Sequence, residues 1–136
     1  MFGHPLRSYA LHVGFSGLMF ADTMPDLAPM ICRQRLVIEG TCETPISDTD
    51  IRDYLVGLSH VCDMRILLDP VTHRSDRFGW AGWVHWEGSG VHVYAWDTPI
   101  LFFSVDVYTC RMFDMEKAVE YTGTFFGATQ IVAKAI

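Results

Sequence analysis

Ser89 stands between Gly88 and Gly90 and leads into "VHVYAW", where His92, Tyr94 and Trp96 alternate with Val91, Val93 and Ala95. A second run, "SVDVYTC", sets Ser104, Asp106, Tyr108 and Cys110 against Val105 and Val107. A third, "WAGWVHWE", sets Trp83, His85 and Glu87 against Gly82, Val84 and Trp86. In a β-strand alternate residues share a face. One face of such a sheet is therefore plain, and the other carries acid, base, thiol, hydroxyl and aromatic groups. That set suits proton transfer, nucleophilic attack, or the holding of a cation against rings.

The elements that must position these groups are legible as periodicity. "RLVIEG" (Arg35–Gly40) reads as a strand, and "ETPISDTD" breaks it, with Ser47 or Asp48 placed to cap a helix. Ile51, Tyr54, Leu55, Leu58 and Val61 recur at helical spacing between Asp50 and Val61, giving one buried stripe. "MRILLD" (Met64–Asp69) reads as a short buried strand ended by Pro70, and "PVTHRSDRFG" as a polar loop. Three closely spaced strands follow, Trp80–Glu87, Gly90–Asp97 and Ile100–Cys110, joined by a Gly-Ser-Gly turn and an Asp-Thr-Pro turn. Connections that short suit antiparallel neighbours. Asp114 can cap a second helix, "DMEKAVEYTGTFF", in which Met115, Ala118, Val119 and Phe125 or Phe126 can face a sheet, and "TQIVAKAI" closes the chain as a strand. The expectation is an α+β two-layer sandwich, an antiparallel sheet with two helices on one face.

At 136 residues the chain is long enough for one core. Half its residues are hydrophobic and 13% aromatic, which excludes disorder as the default. The net charge of −6, with no basic run, argues against nucleic acid as a partner. Cys32, Cys42, Cys62 and Cys110 include no C-x-x-C pair, and the six histidines form no metal-ligand spacing, so no metal is expected. Free thiols suit a cytoplasmic protein. The apolar stretch Ala10–Phe20 is interrupted by His12 and two glycines and lacks a cleavage site, so it reads as part of the fold, a strand packed on a neighbour. No segment reaches the roughly 18–20 apolar residues that span a bilayer.

"GSGVHVYAW" and "DVYTC" resemble, in order and spacing, the prokaryotic single-domain S-adenosylmethionine decarboxylases, which carry Glu-Ser-His, a short strand, His-Thr-Trp and then Asp-Val-Phe-Thr-Cys-Gly. "RLVIEG", "GWAG" and "DMEKAVEY" are similar to further parts of that family. The resemblance covers residues 34–136 as one domain and leaves 1–33 as an N-terminal extension packed on the domain or a neighbour. It implies that a chain cleaves itself before the residue matching Ser89, converting that serine to a pyruvoyl group that serves as electron sink for lost CO₂. It also implies a proton-donating thiol at Cys110 and a dimer or higher homo-oligomer.

Several positions depart from the family. The histidine that resolves self-cleavage falls on Tyr94, the assisting serine on Ala81, and the residues flanking the serine on Gly88 and Gly90, with Glu87 displaced by one. Serinolysis needs a base and an acid near the ester, and these positions lack theirs. The expected cofactor is therefore none, with a pyruvoyl at Ser89 only if the chain cuts itself. The sulfonium of S-adenosylmethionine offers other chemistry, because methylthioadenosine is already a good leaving group. The expectation is an enzyme that breaks this C–S bond, as a cyclase forming 1-aminocyclopropane-1-carboxylate or as a lyase. Tyr94, Trp96, Tyr108 and Trp83 are the candidate rings for the sulfonium, and Glu87 or Glu39 for ribose hydroxyls. Asp106, His92 or Cys110 is the candidate base. The alternatives are a pyruvoyl-dependent decarboxylase using Ser89 and Cys110, and a non-catalytic paralogue that binds the nucleoside or regulates a decarboxylase.

Overall fold

The structure, a computed structural model, describes residues 24–136. The stretch Ala10–Phe20 lies outside them. Residues Ile31–Ile136 form a compact unit that holds β1 (Gln34–Thr41), α1 (Asp48–Val61), β2 (Ile66–Arg74), β3 (Gly79–Trp86), β4 (Ser89–Trp96), β5 (Phe102–Thr109), α2 (Met115–Phe126) and β6 (Gln130–Ala135). The strands make one antiparallel sheet in the order β2-β3-β4-β5-β1-β6. The fold is the expected α+β sandwich.

Side-chain alternation decides where the core sits. Val84, Val91, Val107 and Leu36 stand side by side across four strands, all buried. The helices cover this face. Trp86 donates its indole N–H to Ser59 of α1 at 2.7 Å, and the Phe103 and Phe126 rings lie 4.9 Å apart. Helix α1 begins where Ser47 caps it, its hydroxyl accepting from Asp50 N–H while the Asp50 carboxylate accepts from Ser47 N–H. This reciprocal pairing satisfies two amides that a helix start leaves bare. Asp114 caps α2 as expected, and Gly127 ends it in the left-handed conformation.

Two strand expectations need correction. β2 is not a short buried strand ended by Pro70: it runs on to Arg74, and Leu67 and Leu68 are exposed. It lies at the sheet edge with register shifts on either side of Leu68, so a residue without an N–H fits there. Arg52 of α1 donates to the Pro70 carbonyl and the Thr72 hydroxyl, pinning that edge. The turn before β4 is also shorter than Gly-Ser-Gly. It consists of Glu87 and Gly88, with Gly88 at φ +69°, and Ser89 opens the strand.

Candidate functional site

The helix-free face is organised in rows set by strand register. One row runs Trp83, His92, Asp106, Val37 across β3, β4, β5 and β1. On one side of it lies His85, Gly90, Tyr108, Arg35, and on the other Ala81, Tyr94, Ser104, Glu39. The first two rows line a cleft of about 580 Å³, within the usual range for small-molecule sites. Gly90 has no side chain to fill its floor.

A ladder of rings borders this cleft. Trp83 and His92 are 6.5 Å apart between centroids, His92 and Tyr94 6.3 Å, Tyr94 and Trp96 6.0 Å, and Trp96 and Phe102 5.4 Å. Tyr94 keeps 42% of its surface exposed although its neighbours are aromatic. A flat nucleobase can stack on such a surface and a sulfonium can sit against its ring faces.

At the other end, the Cys110 backbone N–H donates to the Ser89 hydroxyl at 3.0 Å. The Cys110 thiol lies 4.0 Å from the Tyr108 hydroxyl, and a Cβ at position 88 would stand 3.8 Å from that thiol. The turn therefore packs directly on Cys110. Ser89 is only 8% exposed, on the core side of β4 with its cross-strand partner Trp86. Cys42 and Cys62 sit elsewhere in the core, where burial pushes their thiols up, that of Cys62 to about 11. Protonated thiols of that kind are poor nucleophiles.

Of the expected residues, Ser89, His92, Asp106, Tyr108 and Trp83 line one cleft. Cys110 adjoins it through Tyr108, Tyr94 and Trp96 extend its aromatic wall, and Glu39 stands in the Tyr94 row two strands away. Glu87 is not brought in. Its carboxylate pairs with Arg65 at 3.8 Å, bordering a separate hollow with Asp63 and Arg111, because the tight turn points it off the sheet end. Sequence reasoning missed His85 and Arg35 as cleft residues. The alternation of Arg35, Val37 and Glu39 against buried Leu36 and Ile38 was the available signal. Among the described residues no cluster of His, Cys, Asp or Glu could hold a metal, and no helix is long and apolar enough to cross a membrane.

A two-layer α+β protein with an aromatic cleft on its helix-free face, and a serine bonded to a cysteine amide beside it, defines the class. A profile of the S-adenosylmethionine decarboxylase family matches residues 40–136, and the chain belongs to that family. The fold is similar to the crystal structure of the adenosylmethionine decarboxylase from Aquifex aeolicus VF5, at TM-score 0.63 and 19% identity over 78% of this chain and 89% of that one. No curated protein sequence matches.

Proposed function

We propose that the protein is an S-adenosylmethionine-consuming enzyme that works without a pyruvoyl group and breaks the bond between the sulfonium sulfur and the methionyl γ-carbon. The electron pair of that bond leaves with sulfur, which becomes the neutral thioether of methylthioadenosine. The γ-carbon takes a new pair from one of two sources within the substrate. Attack by the carboxylate oxygen gives a lactone. Attack by the α-carbon, after a base takes the α-proton, gives 1-aminocyclopropane-1-carboxylate. Either route needs orientation and a pocket that tolerates a cation. Trp83, Tyr94 and Trp96 supply the rings, His92 is the base beside them, and Glu39 takes ribose hydroxyls.

The observation that carries this reading is the cross-strand pair Ala81 and Tyr94, a methyl and a phenol at the positions where the family's processing serine and histidine fall. These residues do not fit the formation of a pyruvoyl group, which supports a chain that stays uncut. A second reading, pyruvoyl-dependent decarboxylation, is favoured by the Ser89–Cys110 contact and by membership of the decarboxylase family. We further propose that the helix-free face meets a second copy in a homodimer or higher homo-oligomer.

The test is an intact mass of freshly purified protein, followed by product analysis with S-adenosylmethionine. One uncut chain that releases methylthioadenosine is the expected result, and the accompanying amino-acid product tells cyclase from lyase. Two fragments parted between Gly88 and Ser89 would replace this reading with the decarboxylase. An uncut chain that binds without turnover would leave the non-catalytic paralogue.

A further inference from the structure

We propose that Arg35 and Asp106 form a clamp for the α-amino-acid end of the substrate, Arg35 holding the α-carboxylate and Asp106 the α-ammonium. The inference rests on the reading above for its substrate class. It arises from two charges of opposite sign that share the cleft and are not spent on each other.

The β1–β5 register sets Arg35 opposite Tyr108 and Val37 opposite Asp106. Arg35 and Asp106 are thus diagonal neighbours on the helix-free face, roughly 7–8 Å apart at the backbone. Both line the same cleft. The Arg35 guanidinium carbon lies 5.2 Å from the centroid of the Tyr108 ring. A guanidinium held against a ring keeps the N–H donors at its edge free for a planar, two-oxygen acceptor.

Neither side chain makes a hydrogen bond or ion pair among the described residues. Arg65, Arg74 and Arg111 each pair with a carboxylate, and Arg52 is spent on the Pro70 carbonyl and Thr72. Arg35 is thus a cation and Asp106 an anion, both presented to whatever enters. An amino-acid head carries one charge of each sign on a single carbon, and it matches this pair in sign.

The clamp also bears on the reaction. Loss of CO₂ turns a charged carboxylate into a neutral product, so a guanidinium on it would stabilise the ground state more than the transition state. In C–S cleavage the carboxylate leaves with the amino-acid fragment and is never expelled as CO₂. A held carboxylate therefore suits ring closure from the α-carbon, in which it keeps its charge, and opposes both decarboxylation and lactone formation.

The experiment is calorimetric titration of the full-length protein with three inert probes: S-adenosylhomocysteine, its decarboxylated counterpart, and methylthioadenosine. Wild type is expected to bind S-adenosylhomocysteine at least about tenfold more tightly than the decarboxylated probe. Arg35→Met, which keeps the aliphatic stem on an exposed strand position, should erase that preference and leave methylthioadenosine affinity within about twofold. Asp106→Asn should weaken both ammonium-bearing probes by a similar factor and spare methylthioadenosine. Equal binding of the first two probes by wild type, or a preference that survives Arg35→Met, would overturn the clamp. A wild type that shows the preference, loses it on Arg35→Met, and yet leaves S-adenosylmethionine intact supports the clamp and removes the C–S cleavage reading. Failure to bind any of the three overturns both.

Discussion

Ser89 and Cys110 meet because β4 and β5 are adjacent and the turn before β4 is tight, so the serine hydroxyl receives the Cys110 amide. Under C–S cleavage this hydroxyl is a structural acceptor. Ser89→Ala leaves a partly buried N–H without its partner and should lower stability by about 1 kcal/mol, read as a lower midpoint in urea unfolding. Release of methylthioadenosine should persist in the folded variant. Its disappearance would transfer the chemistry to Ser89. Both residues were legible as a spaced pair, and so was the aromatic alternation of β4. Glu87 lies outside the cleft, because a residue at a turn obeys no alternation, and its carboxylate faces Arg65.

The two helices are joined by a polar-aromatic seam. The Tyr54 hydroxyl bonds that of Thr122 at 2.7 Å, which in turn donates to the Ala118 carbonyl, and the Tyr121 hydroxyl donates to the Tyr54 carbonyl. Burial pushes both phenols up, that of Tyr121 to about 12, so they remain protonated donors at neutral pH. Gly57 of α1 leaves room for the Tyr121 hydroxyl, and a Cβ there would run into it. Gly57→Ala should cost about 1–3 kcal/mol through overpacking. Adding Tyr121→Phe should recover part of that loss in thermal melts. A Gly57→Ala protein as stable as wild type would show that the helices can slide apart freely. Helix stripes and caps were readable in advance, since both are local. The continuation of β2 past Pro70 was not, because it depends on the strand lying at an edge.

At the scale of the molecule, one sheet face is roofed by helices and the other bears the ladder from Trp83 to Phe102. A second copy placed on that ladder gives the proposed homodimer. Light scattering should then report a dimer or larger assembly, and Trp96→Glu should shift it to monomer without loss of helical circular dichroism. A monomeric wild type would remove the oligomer proposal. Apart from the second half of β2, the sequence by itself determined the element types, their caps, and which residues of each strand share a face. Those properties follow from backbone geometry within a few residues. Only the tertiary structure decided that β1 lies between β5 and β6, which carries Arg35 to Tyr108 and sets it diagonal to Asp106. Strand order and register come from packing between segments distant in the chain, and alternation within one strand carries no information about its neighbour.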